Sequence, residues 1–160
     1  MKKQMVILAL CLMGAVGAPP LAAQLSEQSA PPQPTREEIQ KNRQQIVLAN
    51  VELNDTEKKA FLPVYEKYQT GVYSLEERLE KTIEEYAKFY NSDSLTDKKA
   101  GELLDTSLSI RKAKLELLNS YVAQLKKILP LKKVARITQV ENKMDAIVNY
   151  YLAAVIPLAK

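Results

Sequence analysis

Residues 53–90 read LNDTEKKAFLPVYEKYQTGVYSLEERLEKTIEEYAKFY. Apolar side chains recur through this stretch at steps of four and three: Phe61, Tyr65, Tyr68, Val72, Leu75, Leu79, Ile83, Tyr86 and Tyr90. Such a rhythm is the signature of a helix with one apolar stripe, here sustained for about four heptads. The start is marked as well. Asn54 followed by Glu57 forms a capping box, and Leu53 just before it can pack on the first turns as a staple. A helix from 55 to 90 measures roughly 54 Å at 1.5 Å per residue, so an elongated molecule is expected. Pro63 lies beyond the permissive first turn. It removes the hydrogen bond to the Lys59 carbonyl and favours a bend.

Downstream, NSDSL at 91–95 is a short polar turn, and Thr96 with Asp97 restarts a helix. Leu104, Leu108, Leu115, Leu118, Val122, Leu125 and Leu129 give it a heptad stripe, with Arg111 filling one apolar position. So short a turn makes the two helices an antiparallel hairpin. Pro130 ends that helix or opens the next. The last helix carries Val134, Ile137, Val140, Met144, Ile147, Val148, Tyr151 and Val155, and Pro157 stops it. Upstream, Thr35 and Glu38 form a second capping box, starting a helix with Ile39, Ile46 and Ala49 on one face. The expected fold is all-α: an elongated four-helix protein built on a long antiparallel helical hairpin, with coiled-coil-like packing. No stretch alternates as a strand does.

The first residues have a different character. Lys2 and Lys3 precede an apolar run at 5–16, too short to span a bilayer, and Ala22 and Ala23 follow. This is the pattern of a secretory signal peptide, 1–23. Residues 24–34, QLSEQSAPPQP, are polar and proline-rich and are expected to form a disordered lead-in. A single helical domain then occupies 35–160. Cys11 lies inside the apolar run, so the mature chain has no cysteine and depends on its core for stability. The expected location is the periplasm of a Gram-negative bacterium, with no transmembrane segment after cleavage.

Composition excludes much chemistry. Removing Lys2 and Lys3 takes the 23 basic residues to 21 against 19 acidic ones, a charge of +2 that does not argue for nucleic acid. The chain has no His. Without His or Cys the mature part offers no ordinary zinc or copper site and no Ser–His or Cys–His pair. Gly71 and Gly101 stand alone, so there is no glycine-rich phosphate loop. No enzyme and no cofactor are expected.

The two helix starts, Leu53-Asn-Asp-Thr-Glu and Leu95-Thr-Asp-Lys-Lys, resemble the paired Leu-Thr-x-x-Gln motifs of the CpxP and Spy family of periplasmic proteins. Asn54, Glu57 and Lys99 depart from that motif. A second resemblance is to a group of proteobacterial secreted proteins with no assigned activity. It rests on Phe61-Leu62-Pro63-Val64-Tyr65, Tyr68-Gln69, Leu129-Pro130, Lys132-Lys133, Arg136 and Ile156-Pro157-Leu158, with Leu62 in place of the usual Trp. The CpxP and Spy resemblance implies a helical homodimer shaped as a cradle, acting as a chaperone for unfolded envelope proteins or in envelope stress. A metal-sensing branch of that superfamily relies on His ligands that are missing here. The alternative is a structural or regulatory helical dimer docking on a specific envelope or sensor protein.

The candidate partner-binding residues are Pro63 at the bend, Tyr73 one position off the stripe, Arg111, the lysines Lys126, Lys127, Lys132 and Lys133 around Pro130, and Arg136. Arg136, Glu141 and Lys143 could also form a polar network where helices meet. The bland reading of each is a core, snorkelling or solvated side chain.

Overall fold

The computed structural model describes residues 36–159, and these form four helices with no strand among them. We number them α1 (Arg36–Asn50), α2 (Asp55–Asn91), α3 (Asp97–Leu125) and α4 (Leu131–Val155). The expected signal peptide, the lead-in and the Thr35 half of the first capping box lie outside the described residues.

The caps are where the sequence places them. The Asn54 side chain accepts from the Glu57 N–H and the Glu57 carboxylate accepts from the Asn54 N–H, each at 2.9 Å, so two otherwise unpaired donors are satisfied. Thr96 caps α3 by accepting from the Lys99 N–H. Between α2 and α3, Asp93 takes φ 51°, a left-handed conformation that Asp tolerates better than most residues. The third helix ends at Leu125, earlier than the expected end at Pro130, and 126–129 form turns instead. Pro130 then caps α4, its carbonyl accepting from Lys133 and Val134. Helix α2 runs unbroken for 37 residues through Pro63, whose ring is exposed.

Contacts set the directions. Tyr68 stacks on Tyr121, Gly71 lies against Leu117, and Lys99 pairs with Glu85. Position rises along α2 as it falls along α3, so the two run antiparallel. Arg43 meets Asp145, and Arg136 donates to the Asn50 carbonyl, so α1 and α4 are also antiparallel. Glu57 meets Lys133 and Tyr65 meets Glu141, so α4 lies parallel to α2. The tightest backbone packing is within the pairs α2–α3 and α1–α4. The pairs face each other through large side chains.

Those side chains form the core. Phe61, Tyr65, Tyr68 and Val72 of α2 pack with Ile39 and Val47 of α1, Tyr121 and Leu125 of α3, and Ile137, Met144 and Val148 of α4. The Tyr68 and Tyr121 rings are stacked with centroids 4.1 Å apart and nearly parallel planes, and Tyr65 meets Tyr121 edge-on at 6.2 Å.

Three stripes differ from the sequence expectation. On α2 the apolar series is core only as far as Leu75. Leu79, Ile83, Tyr86 and Tyr90 are half-buried, because the core cluster contributed by all four helices stops at Val72. On α1 the buried face is Ile39, Arg43 and Val47, while Ile46 is half-buried and Ala49 exposed. On α3 the register is displaced. The inward positions are Leu103, Ile110, half-buried Leu117, Tyr121 and Leu125, and the expected stripe residues Leu104, Leu108 and Leu115 face outward. Arg111 therefore fills no apolar core position. It sits on the exposed side among those leucines.

Candidate functional site

The interior between the helix pairs holds a cluster of charge. Arg43 projects from α1 into the core, with only 1% of its surface exposed. Its Nε and Nη2 both donate to Glu141 Oε2, at 3.1 and 2.8 Å. Nη2 also donates to Asp145 Oδ1 at 2.6 Å, and Nη1 lies 3.6 Å from Glu76 Oε1. From the other side the Tyr65 hydroxyl donates to Glu141 Oε1 at 3.0 Å. One cation thus ties α1 to α4 and α2. Such an arrangement survives burial because the cation faces several carboxylates and its Nε and Nη2 are hydrogen-bonded, although Nη1 makes no hydrogen bond among the described residues.

Burial pushes the Glu141 carboxyl above its ordinary value, opposed by Arg43 and the Tyr65 hydroxyl. Burial, with the Glu141 charge adding to it, also raises Tyr65, Tyr68 and Tyr121, so all three stay neutral phenols. The Gln69 amide and the Tyr121 hydroxyl are buried beside this cluster without a hydrogen bond to the described residues. No group of Asp, Glu, His or Cys side chains among the described residues is arranged to hold a metal ion. Chemically, the cluster is a structural clasp. Sequence reasoning missed its cation, although Arg43 lies four residues after Ile39 and four before Val47, at the spacing of a buried face. Glu141 was anticipated in a polar network, but its partner is Arg43, and Arg136 and Lys143 are exposed.

Two surfaces border the core. The first is the outward face of α3. Leu104, Leu108 and Leu115 are 58%, 51% and 59% exposed and lie on one side of the helix, with Arg111 between them. The lower end of this face borders a cleft lined by Tyr68, Lys114, Leu115, Leu118 and Asp145. The second is a groove of about 610 Å³ between α1 and α4. Ile39, Ile46, Val140, Met144 and Ile147 line it, with Arg136 and Lys143 among its polar residues.

The sequence-predicted residues do not gather into one site. Pro63 and Tyr73 are exposed on α2, and Arg111 is exposed on α3. Lys126, Lys127 and Lys132 are exposed around the α3–α4 turn. Lys133 is committed to Glu57 at 2.6 Å, an ion pair joining α4 to the first turn of α2. Arg136 bonds the Asn50 carbonyl, closing the end of α1, and also lines the α1–α4 groove. No helix among the described residues is long and apolar enough to cross a membrane. No protein-family model, curated protein or solved structure matches the chain.

Proposed function

We propose that this is a non-enzymatic, chaperone-like binding protein of the periplasm, engaging unfolded envelope proteins through the outer face of α3. One observation carries the reading: Leu104, Leu108 and Leu115 stay exposed on one helix face while the core is completed by a different stripe. Contiguous exposed apolar surface on a soluble domain marks a place for another molecule. Arg111 in its midst keeps the face hydrated and gives it a contact for carboxylates. The signal-peptide pattern and the CpxP and Spy resemblance supply the compartment and the client class.

The test is suppression of aggregation of a chemically unfolded test protein, followed by light scattering. The wild-type chain is expected to suppress it near equimolar ratio. A Leu104→Asp/Leu108→Asp/Leu115→Asp variant with unchanged helicity is expected to lose most of the effect. No suppression by the wild-type chain, or full suppression by the variant, removes this reading.

The heptad spacing of the same leucines favours one second reading, a homodimer seam of a regulatory protein docking on an envelope sensor. Sedimentation separates the two. A tight dimer that the triple variant converts to monomer supports the seam, and a monomeric wild type supports an open client surface.

A further inference from the structure

The α1–α4 groove lies apart from the α3 leucines, and its charge pattern follows from the buried clasp. Helix α4 has two carboxylates, Glu141 and Asp145, and both are drawn to Arg43. Of its four cations, Lys133 is neutralised by Glu57. Lys132, Arg136 and Lys143 stay on the exposed side, and no carboxylate among the described residues pairs with them. The outer face of α4 is therefore wholly basic, although the helix sequence mixes both signs.

Two of those cations belong to the groove, whose lining includes no acidic residue among the described residues. Its apolar residues come from both helices: Ile39 and Ile46 from α1, Val140, Met144 and Ile147 from α4. The lining spans residues 39–50 on one helix and 136–147 on the other, about 17 Å at the helical rise, or about three turns. Arg136 and Lys143 are seven residues apart on α4, hence on one side and about 10 Å from each other.

We propose that this groove binds an acidic amphipathic helix of about three turns. Its apolar face lies on the half-buried Ile46, Val140 and Ile147, above buried Ile39 and Met144, and two carboxylates spaced two turns apart meet Arg136 and Lys143. The separation of the cations selects this occupant. A single anionic headgroup engages one of them, whereas a helix carrying acids at i and i+7 engages both. Apolar anchors at helical spacing in a groove are an established mode of peptide recognition.

The experiment uses the full mature chain and a fluorescein-labelled 14-residue peptide with leucines on one helical face and two glutamates seven residues apart. Anisotropy is expected to show saturable binding, weakened at least tenfold by Lys143→Glu and by replacing the peptide glutamates with lysine. Leu108→Asp is expected to leave it unchanged, which separates this groove from the α3 surface. The proposal is overturned by absent binding, by equal binding of the lysine peptide, or by a Kd that Lys143→Glu leaves intact. Saturable binding of oleate without binding of the peptide also overturns it, assigning the groove to an acyl anion.

Discussion

Arg43 and Glu141 are 98 positions apart, yet two guanidinium nitrogens of the first converge on one carboxylate oxygen of the second. Both side chains are almost fully buried. This contact locates α1 against α4. Without it, α1 is a 15-residue helix, marginal in isolation, held by a small number of apolar side chains. The same contact determines which face of α4 is left basic.

The partners are not equivalent. Arg43 has Asp145 as a second carboxylate at 2.6 Å, whereas among the described residues Glu141 has only the Tyr65 hydroxyl besides Arg43. Removing the arginine strands a buried carboxylate, which typically costs about 3–5 kcal/mol. Arg43→Met is therefore expected to lower unfolding free energy by roughly that amount, and Glu141→Gln by less than about 1 kcal/mol. Adding Glu141→Leu to Arg43→Met is expected to recover part of the loss. Denaturant titrations of Arg43→Met, Glu141→Leu and the double variant check this, and strictly additive effects of these two single substitutions contradict the clasp.

Acid acts on two carboxylates in opposite directions. Glu141 is raised in the folded chain, chiefly by burial, so the folded state holds its proton more tightly than the unfolded one. Its contribution to stability therefore grows as pH falls through its folded value towards 4.5, the ordinary value. Glu57 is lowered by Lys133 and the Asn54 N–H, so its contribution is present above 4.5 and lost as pH falls through its folded value. Thermal melts between pH 7 and pH 3 are expected to show Glu141→Gln flattening the upper part of the profile. Glu57→Gln is expected to flatten the acid limb. An exchange of these effects contradicts the assignment.

The register of α3 separates stability from binding at neighbouring positions. Ile110 is buried, and its truncation to Ala removes methylenes from a packed site, at a typical cost of about 2–5 kcal/mol. Leu108 faces outward, and Leu108→Ala is expected within about 0.5 kcal/mol of wild type. Suppression of aggregation is expected to respond the other way, weakened by Leu108→Ala and not by Ile110→Val. Chemical denaturation beside the scattering assay reads both.

That register also shows where sequence reading stops. Helix starts were legible at Asn54 and Thr96 because capping is local chemistry within four residues. The helical class was legible from period alone. Two interleaved apolar series on α3, one through Leu104 and Leu108 and one through Leu103 and Ile110, both satisfy a heptad. Only contact with Tyr68 and Gly71 of α2 selects between them. Arg43 was illegible for a related reason. A lone arginine in an apolar series is indistinguishable from a snorkelling one until the carboxylates of α4, about 100 residues away, are placed beside it. The groove followed the same logic, since its one-sided charge depends on where Glu141 and Asp145 turn.

Gly71 and Gly101 make opposite predictions. A Cβ on Gly71 would lie 2.9 Å from both Leu117 methyl carbons, whereas nothing lies within 4 Å of one on Gly101. Alanine is favoured over glycine inside a helix by about 1 kcal/mol. Gly101→Ala is therefore expected to stabilise by up to that amount. At Gly71 the gain is opposed by the forced shift of Leu117, and overpacking of this kind typically costs about 1–3 kcal/mol. Gly71→Ala is expected to destabilise in the wild-type background. In a Leu117→Ala background the obstacle is gone, and the same substitution is expected to become stabilising. Urea midpoints for the four proteins of this cycle show the change of sign. Its absence indicates that α2 and α3 can separate at Gly71 without loss of stability.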